Sequence, residues 1–131
     1  MKDNFNLEII SPEKIIFSGK VKIVTAPSYE GDMDILKNHI SIITFLRPGI
    51  IKVQKNDENF INFFVQDGTV EYFNDSLIIL SASAMSIKDL SKEFLDNIVA
   101  DTQKKLDNKD LTDHDRYILN HKLDTIREVR T

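Results

Sequence analysis

Three histidines, His39, His114 and His121, are the side chains of this chain that ordinarily titrate near neutrality. None stands in the His-Glu-x-x-His arrangement that puts two zinc ligands on one helical face. His114 and His121 are two helical turns apart, too far for one ion without further ligands, and read as surface side chains. Carboxylate pairs occur at Asp32 with Asp34 and at Asp113 with Asp115. General acid catalysis needs one such group buried, whereas pairs at turns and helix starts are usually solvated or capping. No serine sits in a nucleophile elbow, and a triad would have to draft His39 from a polar stretch with no orienting acid in view. The four glycines are isolated from one another, so no phosphate-cradling loop or dinucleotide fingerprint is spelled. With no cysteine there is no disulfide, thiolate zinc site or thiol nucleophile, which favours a reducing compartment. Neither a catalytic, a cofactor-binding nor a metal-ligating residue is expected.

Composition narrows the partners. Residues 1–85 carry 8 basic and 11 acidic side chains and residues 86–131 carry 9 and 10, so neither half is a basic arm of the kind that displaces counterions from nucleic acid. The N-terminal residues lack an apolar run of signal-peptide length, and no stretch is long and apolar enough to span a bilayer. Export and direct membrane insertion are therefore not expected. An apolar fraction of 41% is too high for a disordered chain and sufficient for one real core.

The elements that must position any site are divided by punctuation. All three prolines and all four glycines lie in the first 68 residues, which marks a turn-rich β part followed by an α part. Phe5–Ile9 and Lys20–Ile23 alternate at period two; Ile15–Phe17 is a short strand that Ser18-Gly19 is expected to bend. Ile40–Leu46 and Phe60–Val65 are apolar on both faces, so each is expected to be covered twice, once by the core and once by something else. Ile50–Val53 is a further strand. Asn74-Asp75 joins Thr69–Phe73 to Ser76–Leu80 in a two-residue hairpin, because both residues tolerate left-handed backbone.

After Met85 the period changes to about 3.6. Leu90, Phe94, Leu95, Ile98, Val99 and Leu106 form the stripe of a helix over 88–106. Thr112 is placed to cap a second helix over 112–129, striped by Ile118, Leu119, Leu123, Ile126 and Val129. A short polar loop between two amphipathic helices gives an antiparallel hairpin. The reading is a β-sandwich over 1–86 and a helical hairpin over 87–131. The segment Ser28–His39 reads as a long polar loop with a short strand, at a sandwich end where binding surfaces sit.

Ser11-Pro12-Glu13, Phe17-Ser18-Gly19, Glu30-Gly31-Asp32 with Ile35-Leu36 and His39, Arg47-Pro48-Gly49-Ile50-Ile51, Phe64-Val65 with Gly68 and Glu71, and Leu80-Ser81-Ala82 follow one another in a recognisable order. In order and spacing this set resembles the epsilon subunits of bacterial F-type ATP synthases, and the resemblance runs from about Phe5 to the end. It implies a ten-stranded β-sandwich with a C-terminal two-helix hairpin. It implies a non-catalytic rotor subunit on the cytoplasmic face of the plasma membrane, linking the gamma subunit to the c-ring and coupling ion flow to ATP synthesis. By position, Glu30, Asp32 and Met33 match the loop facing the c-ring, and Ser11, His39 and Thr44 match the face meeting gamma. Lys122, Arg127 and Arg130 are the basic residues of the second helix that, in an extended hairpin, would meet the alpha and beta catalytic subunits and restrain ATP hydrolysis.

The sequence departs from the family pattern in two places. Lys37-Asn38 precede His39 and Ile40-Ser41 follow it, where the family has Pro-Gly and Ala-Pro. At the start of the first helix, Ser91 and Phe94 stand where many bacterial members carry the Asp and Arg of an ATP-binding motif, so no bound ATP is expected. A similar Leu123–Glu128 stretch lies a whole helix away. Two other readings fit the residues alone: a free-standing β-sandwich binding module with a helical dimerisation hairpin, and a small hydrolase built on Asp32 and Asp34.

Overall fold

The computed structural model describes residues 3–130. Ten strands precede two helices: β1 Phe5–Ile10, β2 Ile15–Val21, β3 Ile23–Ser28, β4 Gly31–Ile35, β5 Ile42–Leu46, β6 Gly49–Gln54, β7 Phe60–Val65, β8 Gly68–Phe73, β9 Ser76–Leu80, β10 Met85–Ser86, α1 Lys92–Leu106 and α2 Asp113–Arg130. The strands form one continuous sheet in the order β10-β7-β6-β3-β5-β8-β9-β1-β2, with β4 on β3. Its two halves meet through a single pair, Ser28 with Leu46, where the sheet folds over. One layer is then β10-β7-β6-β3-β4 and the other β5-β8-β9-β1-β2. This is the expected ten-stranded sandwich.

Alternation supplies the interior. Phe5, Leu7 and Ile9 of β1, Val70 and Tyr72 of β8, and Leu77 and Ile79 of β9 are buried from one layer; Val24, Ala26, Ile51, Val53 and Phe63 are buried from the other. The β8–β9 turn is as expected, with Asn74 and Asp75 at φ of 51° and 59°.

Three expectations change. Ser18-Gly19 does not bend the second strand, because both residues stay in the ladder opposite Glu8 and Leu7; the chain breaks instead at Lys22, between β2 and β3. Ser28–His39 is less a loop than a β-hairpin, with Tyr29-Glu30 as its turn and Val24–Ser28 paired to Gly31–Ile35. The first helix begins at Lys92, four residues later than the stripe suggests. Ile87–Asp89 forms a 3-10 turn, Leu90 is extended, and the Ser91 side chain caps α1 by accepting the Phe94 N–H at 3.0 Å. A serine cap satisfies an end N–H that the apolar stripe cannot, so the cap sets the boundary.

The helices do not share the main core. A second cluster joins Ile50 and Phe64, on the outer face of β6 and β7, to Leu95 of α1 and Ile126 of α2. The expected second cover of Phe60–Val65 is therefore the chain's own hairpin at Phe64, while Phe60 at the far end of the strand stays exposed.

Candidate partner-binding surfaces

The outer face of β5-β8-β9-β1 is left open. Because Thr44 and Leu46 point inward, Ile43 and Phe45 point out, and they are 79% and 59% exposed. Register places Phe45 beside Thr69, Leu80 and Ile10 in one cross-strand row, and Ile43 beside Glu71, Ile78 and Glu8 in the next. Phe73 and Leu80 are also exposed. The first row borders a shallow groove of about 780 Å³ that runs from Phe45 and Leu80 to Ser11 and Tyr29. Four large apolar side chains on one side of a small sandwich make the kind of patch that monomers rarely leave to water.

The residues expected on this side are spread along it rather than gathered. Ser11 is buried at the end of β1, where its hydroxyl donates to the Lys14 carbonyl and accepts the Lys14 N–H, closing the β1–β2 turn. His39 lies toward the opposite end, its ring edge-on to Tyr72 at 5.6 Å between centroids and its Nδ1 2.7 Å from the Ile40 carbonyl. Thr44 is half-buried on the inward side of β5. The side chains that face outward between them are Ile43, Phe45 and Phe73, which period-two alternation through β5 and β8 would have singled out.

A second surface is the β3–β4 turn. Glu30 is exposed at its tip, and Asp32 faces outward with its carboxylate 3.0 Å from Arg47. Asp34, next on the same face, accepts the Thr25 hydroxyl at 2.6 Å. Met33 turns the other way and packs against the main core. Acidic groups on an outermost strand also discourage pairing with other chains. Asp32 and Asp34 each hold a separate partner, which gives no shared-proton geometry for a hydrolase.

Residues 4–87 match the family model described as ATP synthase, Delta/Epsilon chain, beta-sandwich domain. The ATP synthase epsilon chain of Pelagibacter ubique strain HTCC1062 is 40% identical over 98% of this chain and 99% of its own length. The chain belongs to the ATP synthase epsilon chains. The epsilon chain of Parvibaculum lavamentivorans is 34% identical over 99% of this chain and 98% of its own. Among solved structures, the fold is similar to a chain of the Euglena gracilis mitochondrial ATP synthase OSCP/F1/c-ring cryo-EM structure, at TM-score 0.75 and 18% identity over 97% of this chain and 79% of that one. It is also similar to a chain of the Tetrahymena thermophila mitochondrial ATP synthase central stalk/c-ring, at TM-score 0.62 and 18% identity over 95% of this chain and 92% of that one.

In this epsilon chain the hairpin lies folded on the sheet. The Tyr117 hydroxyl donates to the Tyr29 carbonyl at 3.2 Å, the His114 ring meets the Tyr29 ring edge-on, and Lys52 of β6 faces Glu128 of α2 at 3.9 Å. Tyr29 also leans on Phe45, with centroids 6.5 Å apart, so the turn touches both the hairpin and the open face. The three basic residues of interest are differently placed. Arg130 reaches across to Asp96 of α1, and Arg127 pairs with Asp124 one turn back. Lys122 is half-buried, and burial holds its amine below the usual lysine range. Burial, aided by the Arg47 charge, likewise lowers the His121 imidazole, which stacks edge-on with Tyr117. No helix among the described residues is long and apolar enough to cross a membrane.

Proposed function

We propose that this epsilon chain is a non-catalytic subunit of the central stalk of an ATP synthase, in which the sandwich links the gamma subunit to the c-ring so that ion-driven rotation reaches the catalytic hexamer. The observation that carries the gamma contact is the outward pair Ile43 and Phe45: a side chain 79% exposed on a sheet whose other face lines the core needs a cover that this chain does not supply. The Glu30 and Asp32 end of the β3–β4 hairpin is assigned to the polar loops of the c-ring, whose basic groups would compete with Arg47 for Asp32. Such a subunit sits peripherally, on the cytoplasmic face of the bacterial plasma membrane.

Two further assignments concern the helices. In an extended hairpin, Lys122, Arg127 and Arg130 would exchange their present surroundings for acidic loops of the alpha and beta subunits and brake ATP hydrolysis. ATP is not expected to bind at the start of α1, where Ser91 is engaged as a cap and Phe94 belongs to the helical stripe. Calorimetry showing a micromolar dissociation constant for ATP would overturn that assignment.

The main reading is tested by co-expressing the chain with the gamma subunit of the same organism and passing the product over a sizing column. Co-elution is expected, and Ile43→Asp is expected to abolish it while leaving the circular dichroism spectrum unchanged. Independent elution of the wild-type chain would defeat the reading in favour of a free-standing module.

A further inference from the structure

The open face is not uniformly apolar, and its polar positions are regularly spaced. In the central cross-strand row, Ile43 of β5, Glu71 of β8, Ile78 of β9 and Glu8 of β1 stand side by side, so carboxylates alternate with isoleucines. Glu71 is exposed and Glu8 half-exposed, and neither has a hydrogen-bond or ion-pair partner within the described residues. This contrasts with the other layer, where outward-facing Asp32 and Asp34 are engaged by Arg47 and Thr25. The flanking row on one side carries no charge, running Phe45, Thr69, Leu80 and Ile10, and Phe73 lies on the other side.

We infer that Glu71 and Glu8 set the docking register of this face by receiving two cationic side chains of the stalk partner. The inference rests on the gamma reading above. Two carboxylates brought under an apolar cover lose their hydration, a cost far larger than the value of an exposed ion pair unless each meets a cation with good geometry. A partner that covers Ile43, Phe45 and Leu80 must therefore either bring those cations or leave two charges buried alone. Glu71 and Glu8 are separated by two strands, about 10 Å at the usual interstrand spacing. On a helix that distance corresponds to about seven residues, two turns along one face. The expected partner is therefore a helix laid across the strands, with Lys or Arg at two positions seven apart and apolar side chains between them to meet Ile78 and the Phe45–Leu80 row. A sequence lacking that spacing would leave one carboxylate unpaired, so the pair discriminates against other apolar helices.

The test is binding of the full chain to the purified gamma subunit by calorimetry at several salt concentrations. The double variant Glu8→Gln, Glu71→Gln keeps size and shape. It is expected to bind at least about tenfold more weakly at low salt and to show a shallower salt dependence than the wild type. Glu13→Gln, on the β1–β2 turn, is the control and should bind like the wild type. Ile43→Asp separates the two readings, because it should prevent binding whatever the carboxylates do. Wild-type and double-variant chains with equal affinities and equal salt slopes would overturn the register inference while leaving the gamma reading intact. A wild-type chain that does not bind gamma at all would overturn both.

Discussion

Tyr72 and Asp75 show how single residues tie the turn end of the sandwich together. The buried Tyr72 hydroxyl donates to the Asp75 carboxylate at 2.8 Å, and the same carboxylate accepts the Asn38 N–H at 2.8 Å. Burial and the Asp75 hydrogen bond push the Tyr72 phenol up to about 12, while the Asn38 N–H and the Tyr72 hydroxyl hold Asp75 below the usual carboxylate range. A phenol raised in the folded state contributes stability that is whole below its unfolded value near pH 10 and is lost as pH rises through about 12. Tyr72→Phe is therefore expected to flatten the alkaline fall in stability between about pH 10 and 12, read from melting midpoints across that range. At neutral pH the same variant should cost about 1.5–3 kcal/mol, the usual worth of a hydrogen bond to a charged group. The Asp75 contribution runs the other way: it is whole above the ordinary carboxylate value and disappears as pH falls through the lowered one. Gly49 makes a different point. A Cβ added there would lie 2.5 Å from Pro27, so Gly49→Ala is expected to destabilise by about 1–3 kcal/mol in chemical unfolding. That the missing side chain of Gly49 admits the neighbouring strand depends on a contact 22 positions away, which spacing cannot reveal.

At the scale of elements, what was legible followed from period, and what was not followed from competition between partners. Asn74-Asp75 and Thr112 could be assigned early because turns and caps are decided within a few residues, and the Asp115 N–H donates to Thr112 Oγ1 as that pattern requires. The Ser18-Gly19 bend failed because pairing with β1 outweighed local turn propensity. The doubly apolar Phe60–Val65 strand announced a second cover without naming it, since a stripe carries no address. Its cover proved to be Leu95 and Ile126 seated on Phe64 and Ile50. Ile126→Ala is expected to remove about 2–4 kcal/mol from that contact. Limited proteolysis should then cut first within residues 92–130 while the sandwich resists; equal protection of both parts would count against so local an effect.

For the whole molecule, the strands that make the open face were legible from their period, and which of their side chains face outward was not. Family spacing points to Ser11, His39 and Thr44; in the fold Ser11 lies at the end of the groove beyond β1 and Thr44 on the inward side of β5, while Ile43 and Phe45 face out between Ser11 and His39. Position along a chain gives the strand, whereas the pleat decides which of two neighbours faces out. In the assembled synthase, removal of residues 88–131 is expected to raise the ATP hydrolysis rate if the hairpin acts as a brake; an unchanged rate would argue that it does not. The separation of the two apolar clusters has its own consequence. Because no side chain belongs to both, the helices can come away without disturbing the interior of the sandwich, much as a hinged cover lifts from a sealed box. Amides of α1 and α2 should therefore exchange with deuterium well ahead of those in β1, β8 and β9, in one cooperative opening event whose frequency sets how often the helices are free to go elsewhere.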